Sequence, residues 1–303
     1  MLEIRVPISP KPYFFRQVEY LYRSARACGG LTANVRMVVS VGEDMEPYDI
    51  AATLPWSDGN VTWRWAPRDE FRKLSYHATV LDRFRGAPDA DVILFADADT
   101  IFVNGVDDLL QYLRTRQAIA GVMAHVPPFA KDPGETWETL FRKLNHRVPS
   151  DFHQHTGWGT MFQRTDVRFG PVYYNFGAVF LSAGLLPDLS AAFARKLDAA
   201  ENAGVGYFRS QLALTLAIYE LDLPRITLPL RYNFPNDALF EQDYPQDFAD
   251  LRILHYLRLD QVQRDAIWET PEAALAFIGR RDLRPSNEAL RRTVEKLLPR
   301  MDG

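Results

Sequence analysis

Apolar and polar residues recur along the chain with two different periods. A period of two residues predicts a β-strand, and a period near 3.6 residues predicts an amphipathic helix. Strands are predicted at 2–8, 35–41, 61–65, 92–96, 118–124, 178–182, 226–230 and 251–255. Helices are predicted at 13–28, 71–84, 107–113, 187–203 and 208–220, and two more begin at Thr270 and Ser286. This alternation of strands and helices is typical of an α/β sheet.

The run 92–96 is the most buried-looking strand, because no polar residue interrupts it. Such a run suits a central strand that is covered on both faces. Asp97 and Asp99 follow at once, and in an extended segment residues two apart point the same way. Two carboxylates at the carboxyl end of a buried strand suit Mg²⁺ or Mn²⁺ carrying a nucleotide diphosphate. The alternative is a carboxylate pair that caps the following turn, as the triplet 89–91 is expected to do before the strand.

The segment 125–172 has weak periodicity, several prolines and four of the six histidines. A long irregular stretch inside a compact domain is typical of a substrate-binding insertion. His153 and His155 have a spacing found in zinc sites, although solvated or acceptor-contacting histidines are the favoured interpretation. The aromatic residues of the insertion can stack on sugar rings or form a small core, and both interpretations stay open: Trp137, Phe141, Phe152, Trp158 and Phe162.

Composition narrows the class of protein. The chain has 303 residues, 47% of them hydrophobic and 24% charged, which excludes a disordered or fibrous protein. Its net charge of −4 argues against a nucleic-acid partner, because coating a duplex needs a basic surplus. The single cysteine, Cys28, excludes an internal disulfide framework and a thiolate zinc cage.

Membrane and export signals are weak in this sequence. No apolar run approaches the ~20 residues of a membrane span, and the first residues do not resemble a signal peptide. We therefore expect a cytoplasmic protein. The basic face of the last helix, which bears Arg291, Arg292, Lys296 and Arg300, is expected to be solvated, with peripheral contact at the inner membrane surface as the alternative.

Several segments, taken in order, resemble one family of enzymes. The segments 71–74 and 92–100 resemble the core of the GT-A nucleotide-sugar glycosyltransferases, above all the family-8 group that includes glycogenin and bacterial lipopolysaccharide hexosyltransferases. The later segments 174–180, 228–233 and 253–256 are similar to segments of that family, as is Gln211 ahead of an apolar helix. The resemblance covers residues 2–260 and implies a GT-A α/β fold, a mixed, mostly parallel central sheet flanked by helices. Residues 261–303 would then form a C-terminal helical extension.

The resemblance also implies roles for individual residues. Asp97, Asp99 and His255 would hold Mn²⁺ or Mg²⁺, and Asp97 would also lie near the donor ribose. Ser9 and Tyr13 would line the pocket for the nucleotide base, and Lys73 would lie near the diphosphate or support the aspartates. Asn175, Gly177 and Gln211 would surround the transferred sugar and the acceptor, with Gln211 and Asn175 as the candidate catalytic residues.

Three positions depart from the family pattern. Ser210 stands where the family has an acidic residue before Gln211, and Phe176 stands where it has a serine. After His255 the family continues with a glycine and a Lys-Pro-Trp sequence, whereas this chain has Arg258, which is expected to replace that lysine at the diphosphate. These departures leave the metal ligands in place and leave the donor sugar open.

The resemblance implies a metal-dependent glycosyltransferase that moves a hexose from a nucleoside-diphosphate sugar, a UDP-sugar in the first place. The acceptor would be a glycan, a lipid-linked saccharide or a small molecule, and the stereochemistry would be retaining. One alternative is a phosphatase of the haloacid-dehalogenase type, in which Asp97 is the nucleophile and Asp99 the general acid, although Ile101 departs from its motif. Another is a non-catalytic sugar-nucleotide or glycan-binding protein, which Ser210 favours.

Overall fold

The computed structural model describes residues 1–125, 127–129, 134–151, 153–154 and 169–298. Its strands are β1 (Leu2–Ile8), β2 (Val35–Val41), β3 (Val61–Trp65), β4 (Val92–Ala96), β5 (Thr100–Phe102), β6 (Ile119–Met123), β7 (His153–Gln154), β8 (Phe169–Gly170), β9 (Tyr174–Ser182), β10 (Arg225–Thr227), β11 (Phe234–Pro235) and β12 (Ile253–His255). Its α-helices are α1 (Pro12–Ala27), α2 (Arg68–Leu74), α3 (Tyr76–Asp82), α4 (Asp107–Thr115), α5 (Trp137–Lys143), α6 (Leu186–Glu201), α7 (Arg209–Glu220), α8 (Ala238–Asp243), α9 (Pro245–Ala249), α10 (Pro271–Ile278) and α11 (Pro285–Leu297).

A mixed, mostly parallel sheet forms the centre of the protein, as predicted. Its seven strands lie in the order β10-β6-β9-β4-β1-β2-β3. β1 pairs in parallel with both β2 and β4, and β9 runs antiparallel to its neighbours β4 and β6. A smaller sheet of β11, β12 and β5 lies beyond the carboxyl end of β4. The segment that leaves β4 therefore passes directly into the smaller sheet.

β4 is buried on both faces because its apolar side chains enter two separate cores. Val92, Leu94 and Ala96 belong to one core, and Ile93 and Phe95 belong to the other. Residues of a strand alternate between its faces, so a run of five apolar residues fills both sides. Helix α1 covers the first core, and helices α6 and α7 cover the second.

The C-terminal helices share a core with the first strand. Trp268 ahead of α10, together with Phe277, Leu290 and Val294, is buried in the same cluster as Leu2. The start of α10 is the predicted one, because the Thr270 side chain accepts a hydrogen bond from the Ala273 amide at 3.1 Å. Within the described part of the chain, every helix is too short or too polar to cross a membrane.

The single helix predicted at 71–84 is wrong, because the chain breaks it into α2 and α3 at Ser75. The backbone of Ser75 has φ of 53°, a left-handed conformation that interrupts the helical hydrogen bonds. At the end of α2, the Ser75 amide donates a hydrogen bond to the Phe71 carbonyl. At the start of α3, the Ala78 amide donates to the Ser75 carbonyl. α2 then buries no side chain, whereas six of the seven residues of α3 are buried.

The structure differs from the prediction at other elements as well. Helices α5, α8 and α9 were not predicted, and the strand predicted at 226–230 ends at Thr227 because a 3₁₀ turn follows Pro229. In the insertion, Trp137 and Phe141 of α5 are buried in the second core, which favours the core interpretation for these two. His155, Phe152, Trp158 and Phe162 lie outside the described residues, and only the backbone of His153 is described, in β7.

Candidate metal centre and active-site cavity

Asp97, Asp99 and His255 meet at the carboxyl end of β4. The Asp97 amide donates to the Gly177 carbonyl at 3.3 Å, and the Thr100 hydroxyl donates to the Asp97 carbonyl at 2.7 Å, which turns the chain into β5. β5 pairs antiparallel with β12, and the register places Thr100 opposite His255. Each of the three side chains offers one ligand atom, and these atoms lie within 4.8 Å of one another.

Charge is concentrated at this cluster. Nε2 of His255 lies 3.3 Å from Oδ1 of Asp99, and Nη1 of Arg264 forms an ion pair with Oδ2 of the same carboxylate. Burial alone would raise the pKa of Asp99, but His255 and Arg264 outweigh it and hold that pKa at about 2. Burial and the Asp99 charge raise the pKa of Asp97, whose side chain keeps about a third of its surface exposed.

The residues present fit a divalent cation. Two carboxylates and one imidazole form a hard, mostly oxygen donor set of the kind that Mn²⁺ and Mg²⁺ accept. Asp97 and Asp99 also repel each other, and this repulsion adds to burial in raising the pKa of Asp97. A cation between them would remove that repulsion.

Gly177 lies directly behind His255, and its missing side chain makes room for the imidazole. A Cβ atom at position 177 would lie 2.2 Å from Nδ1 of His255 and 2.6 Å from Oδ1 of Asn233. The Gly177 amide donates to Oδ1 of Asn175 at 2.8 Å, and Nδ2 of Asn233 donates to the same oxygen at 3.0 Å. Gly177 therefore leaves room for His255 and forms a hydrogen bond with Asn175.

A cavity of about 690 Å³ opens in front of the cluster. The structure brings most of the predicted site residues to its wall: Ser9, Tyr13, Asp97, Asp99, Asn175, Gln211 and His255. Ser9 follows β1 and Tyr13 lies in the first turn of α1, so both lie at the carboxyl edge of the sheet.

Three predicted site residues are not among the described residues that line this cavity: Lys73, Gly177 and Arg258. Lys73 is exposed on α2 and is not among the described residues that line it. Arg258 is also absent from the lining, and its Nε donates to Asp237 at 2.7 Å. Arg264, six residues further along the chain than Arg258, forms an ion pair with Asp99 of the cluster.

Sequence reasoning missed Arg264 because a distant helix shapes the loop that carries it. Nδ2 of Asn287, in α11, donates to Gln261 of this loop at 3.0 Å. Nδ2 of Asn236 donates to Asn287 at 2.8 Å, and the Arg258 amide donates to Asn236 at 2.7 Å. A local signal that could have pointed to Arg264 is its position four residues before Trp268, since the Lys-Pro-Trp sequence of the glycosyltransferases that this chain resembles also places a cation before a tryptophan.

Ser210 lines the same cavity and contacts a histidine from α3. Its Oγ lies 2.7 Å from Nδ1 of His77, and both residues are buried. Burial, together with the charge of Arg209, lowers the pKa of His77 to about 4. A neutral hydroxyl–imidazole pair thus stands where the resemblance leads one to expect a carboxylate.

The pKa of His77 predicts a pH-dependent stability. The unfolded chain protonates this residue near pH 6.5, whereas the folded chain does so near pH 4. Between these values the unfolded state binds more protons, so stability falls as the pH falls. We expect the free energy of unfolding of the wild type to fall by about 2 kcal/mol relative to His77→Gln between pH 7 and pH 4.5. Urea titrations of both proteins at the two pH values measure this difference, and parallel pH profiles would contradict it.

Comparison with known proteins relates this chain to glycosyltransferases through its structure. Neither a protein-family model nor a curated protein sequence matches it. The galactosyltransferase LgtC, solved with donor and acceptor sugar analogues, is similar at 15% identity and a TM-score of 0.53, over 99% of this chain and 98% of that chain. An active-site mutant of LgtC gives 14% identity and 0.52, over 91% and 96%. Mouse xyloside xylosyltransferase 1 gives 11% identity and 0.49, over 84% and 97%. The likeness to LgtC confirms the predicted GT-A fold.

Proposed function

We propose that this protein is a metal-dependent glycosyltransferase that moves a hexose from a nucleoside-diphosphate sugar, a UDP-hexose in the first place, to a saccharide, lipid-linked or small-molecule acceptor. The observation that carries the proposal is the Asp97–Asp99–His255 cluster at the carboxyl end of the central strand of a GT-A fold. The cavity of about 690 Å³ in front of it falls within the range of pockets that bind cofactors and small molecules. LgtC, which has the same fold, was solved with donor and acceptor sugar analogues.

Asp97, Asp99 and His255 would hold Mn²⁺ or Mg²⁺. When bound, the ion would neutralise the charge that develops on the diphosphate leaving group. Ser9 and Tyr13, which line the same cavity, would receive the nucleotide base. Arg264 takes the place proposed for Lys73 and Arg258, because its guanidinium already lies at the cluster and can donate paired hydrogen bonds to phosphate oxygens.

Gln211 and Asn175 both line the cavity, where their side-chain amides could meet the transferred sugar. Nε2 of Gln211 is buried and has no hydrogen-bond partner among the described residues. Oδ1 of Asn175 accepts from the Gly177 amide and from Asn233, so its Nδ2 remains to donate to a ligand. A buried donor without a partner destabilises the free protein, and a sugar hydroxyl would satisfy it. This supports Gln211 and Asn175 as the residues around the transferred sugar, and retention of configuration stays part of the proposal.

The phosphatase alternative needs Asp99 to give up a proton as a general acid. Asp99 is instead paired with Arg264 and hydrogen-bonded to His255, and both partners stabilise its carboxylate form. This favours a ligand role for Asp99. A non-catalytic binding protein would make the same contacts with a nucleotide. Only a measurement of turnover distinguishes it from an enzyme.

Thermal unfolding with nucleotides tests the proposal. We expect UDP, compared with GDP and ADP, to raise the melting temperature by several degrees in the presence of Mn²⁺ and much less without it. A ligand at 100 times its dissociation constant adds about 2.7 kcal/mol to stability, which supports a shift of that size. UDP-glucose and UDP-galactose are then assayed for release of UDP. Binding without turnover would support the non-catalytic alternative, and no shift with any nucleotide would overturn the proposal.

A further inference from the structure

Asp99 has both of its carboxylate oxygens engaged by protein groups. Oδ1 lies 3.3 Å from Nε2 of His255, and Oδ2 forms the ion pair with Nη1 of Arg264. The Asp99 side chain is about nine-tenths buried, so few other directions of approach remain. A metal ion that takes Asp99 as a ligand therefore competes with the guanidinium for the same carboxylate.

Arg264 is the partner that can leave. Its side chain is 37% exposed, and its other ionic contact among the described residues is Asp265 at 3.8 Å. Partly exposed ion pairs are weak, so moving the guanidinium into solvent costs little. Arg83, the other arginine beside the cluster, lies 3.9 Å from Asp97 with a fully buried side chain and cannot exchange in this way.

We infer that Arg264 occupies part of the metal site in the nucleotide-free protein, and that its transfer from Asp99 to the diphosphate couples nucleotide binding to metal binding. The inference rests on the proposed function. A divalent ion at Asp97 and Asp99 repels the nearby guanidinium, so metal alone must displace Arg264 into solvent. A diphosphate in the cavity offers the guanidinium a new anionic partner, and Asp99 then becomes available to the metal. Each ligand thus improves the binding of the other, and this coupling is reciprocal.

The variant Arg264→Gln separates this coupling from a simple phosphate contact. We expect it to bind Mn²⁺ alone about tenfold more tightly than the wild type, because the competing cation is gone. We expect it to bind UDP at saturating Mn²⁺ about tenfold more weakly, because one phosphate contact is lost. Free Mn²⁺ measured by electron paramagnetic resonance, with and without UDP, gives both constants without any turnover. Arg264→Lys, which keeps the charge, should restore most of the wild-type coupling.

A control variant and the pattern of binding distinguish failure of the coupling from failure of the proposed function. Arg195→Gln removes an arginine that pairs with Glu220 outside the cavity, and it should change neither constant. Failure of the wild type to bind Mn²⁺ or UDP would overturn the proposed function itself. If the wild type binds both, then weaker or unchanged Mn²⁺ binding by a folded Arg264→Gln would overturn the coupling alone. If Arg264→Gln does not fold, Arg264→Lys with coupling unlike the wild type would overturn it as well.

Discussion

Asp99→Asn is expected to lower turnover of the preferred UDP-hexose at saturating Mn²⁺ by about a thousandfold. The asparagine keeps the size of the side chain but removes the charge that a divalent ion needs, and metal stabilisation of a leaving diphosphate contributes several kcal/mol, with each 1.36 kcal/mol equal to a factor of ten. Steady-state rates of UDP release from wild type and variant measure the loss. The fold should persist, because Arg264 is partly exposed and can be hydrated once its partner is gone.

The chain supplies a matched control for this substitution. Asp89 begins a second Asp-Ala-Asp triplet before β4, where its exposed carboxylate pairs with Arg36. Asp89→Asn makes the same chemical change outside the cavity and should leave turnover within a factor of two of the wild type. If Asp99→Asn keeps more than a tenth of wild-type turnover, the metal role of this carboxylate is wrong.

The parts of the site that depend on local sequence could be predicted, and the parts that depend on distant packing could not. β4 and the two aspartates after it could be predicted from local sequence. Five consecutive apolar residues predict a buried strand, and the end of that strand predicts where the carboxylates of Asp97 and Asp99 lie. His255 was placed by resemblance to a family, and the register of β5 against β12 is what brings it to Asp99. No periodicity in the sequence reports that register.

Lys73 was predicted to lie at the site and does not line the cavity, whereas Arg264 lines it and was not predicted. The apolar stripe over 71–84 predicts one helix, but the left-handed backbone of Ser75 divides it and leaves Lys73 on a helix with no buried side chain. Arg264 lies in a loop whose path depends on hydrogen bonds to Asn287, which is 23 residues further along the chain than Arg264. Arg258 was predicted as the diphosphate cation from its spacing after His255. Motif spacing gives the number of residues between two positions but not the conformation of the loop that joins them.

The hydrogen bond between His77 and Ser210 is another contact that depends on distant packing and could not be predicted from the sequence. The two residues are 133 positions apart, and the pair forms only because α3 packs against the start of α7. From the sequence alone, Ser210 is a missing carboxylate. In the structure it is a neutral hydroxyl held by an imidazole, so this part of the cavity wall carries an uncharged pair where the resemblance leads one to expect a carboxylate.

Gly177→Ala is expected to weaken Mn²⁺ binding by about ten- to a hundredfold, the usual effect of disturbing the residues that orient a metal ligand. The new methyl group would lie 2.2 Å from Nδ1 of His255 and 2.5 Å from its Cε1, so the imidazole must leave its present position beside Asp99. The same overlap should lower the free energy of unfolding by about 1–3 kcal/mol. Mn²⁺ titration and urea unfolding of the variant measure the two effects separately.

Gly59→Ala is the matched control for this substitution, because a Cβ at Gly59 meets no atom within 4 Å. It should leave Mn²⁺ affinity unchanged and alter stability by no more than about 0.5 kcal/mol. A structural defect alone would lower the stability of Gly177→Ala without changing metal affinity in the folded protein. Wild-type Mn²⁺ affinity in a folded Gly177→Ala variant would therefore remove His255 from the ligand set and leave the two aspartates as the metal's protein ligands.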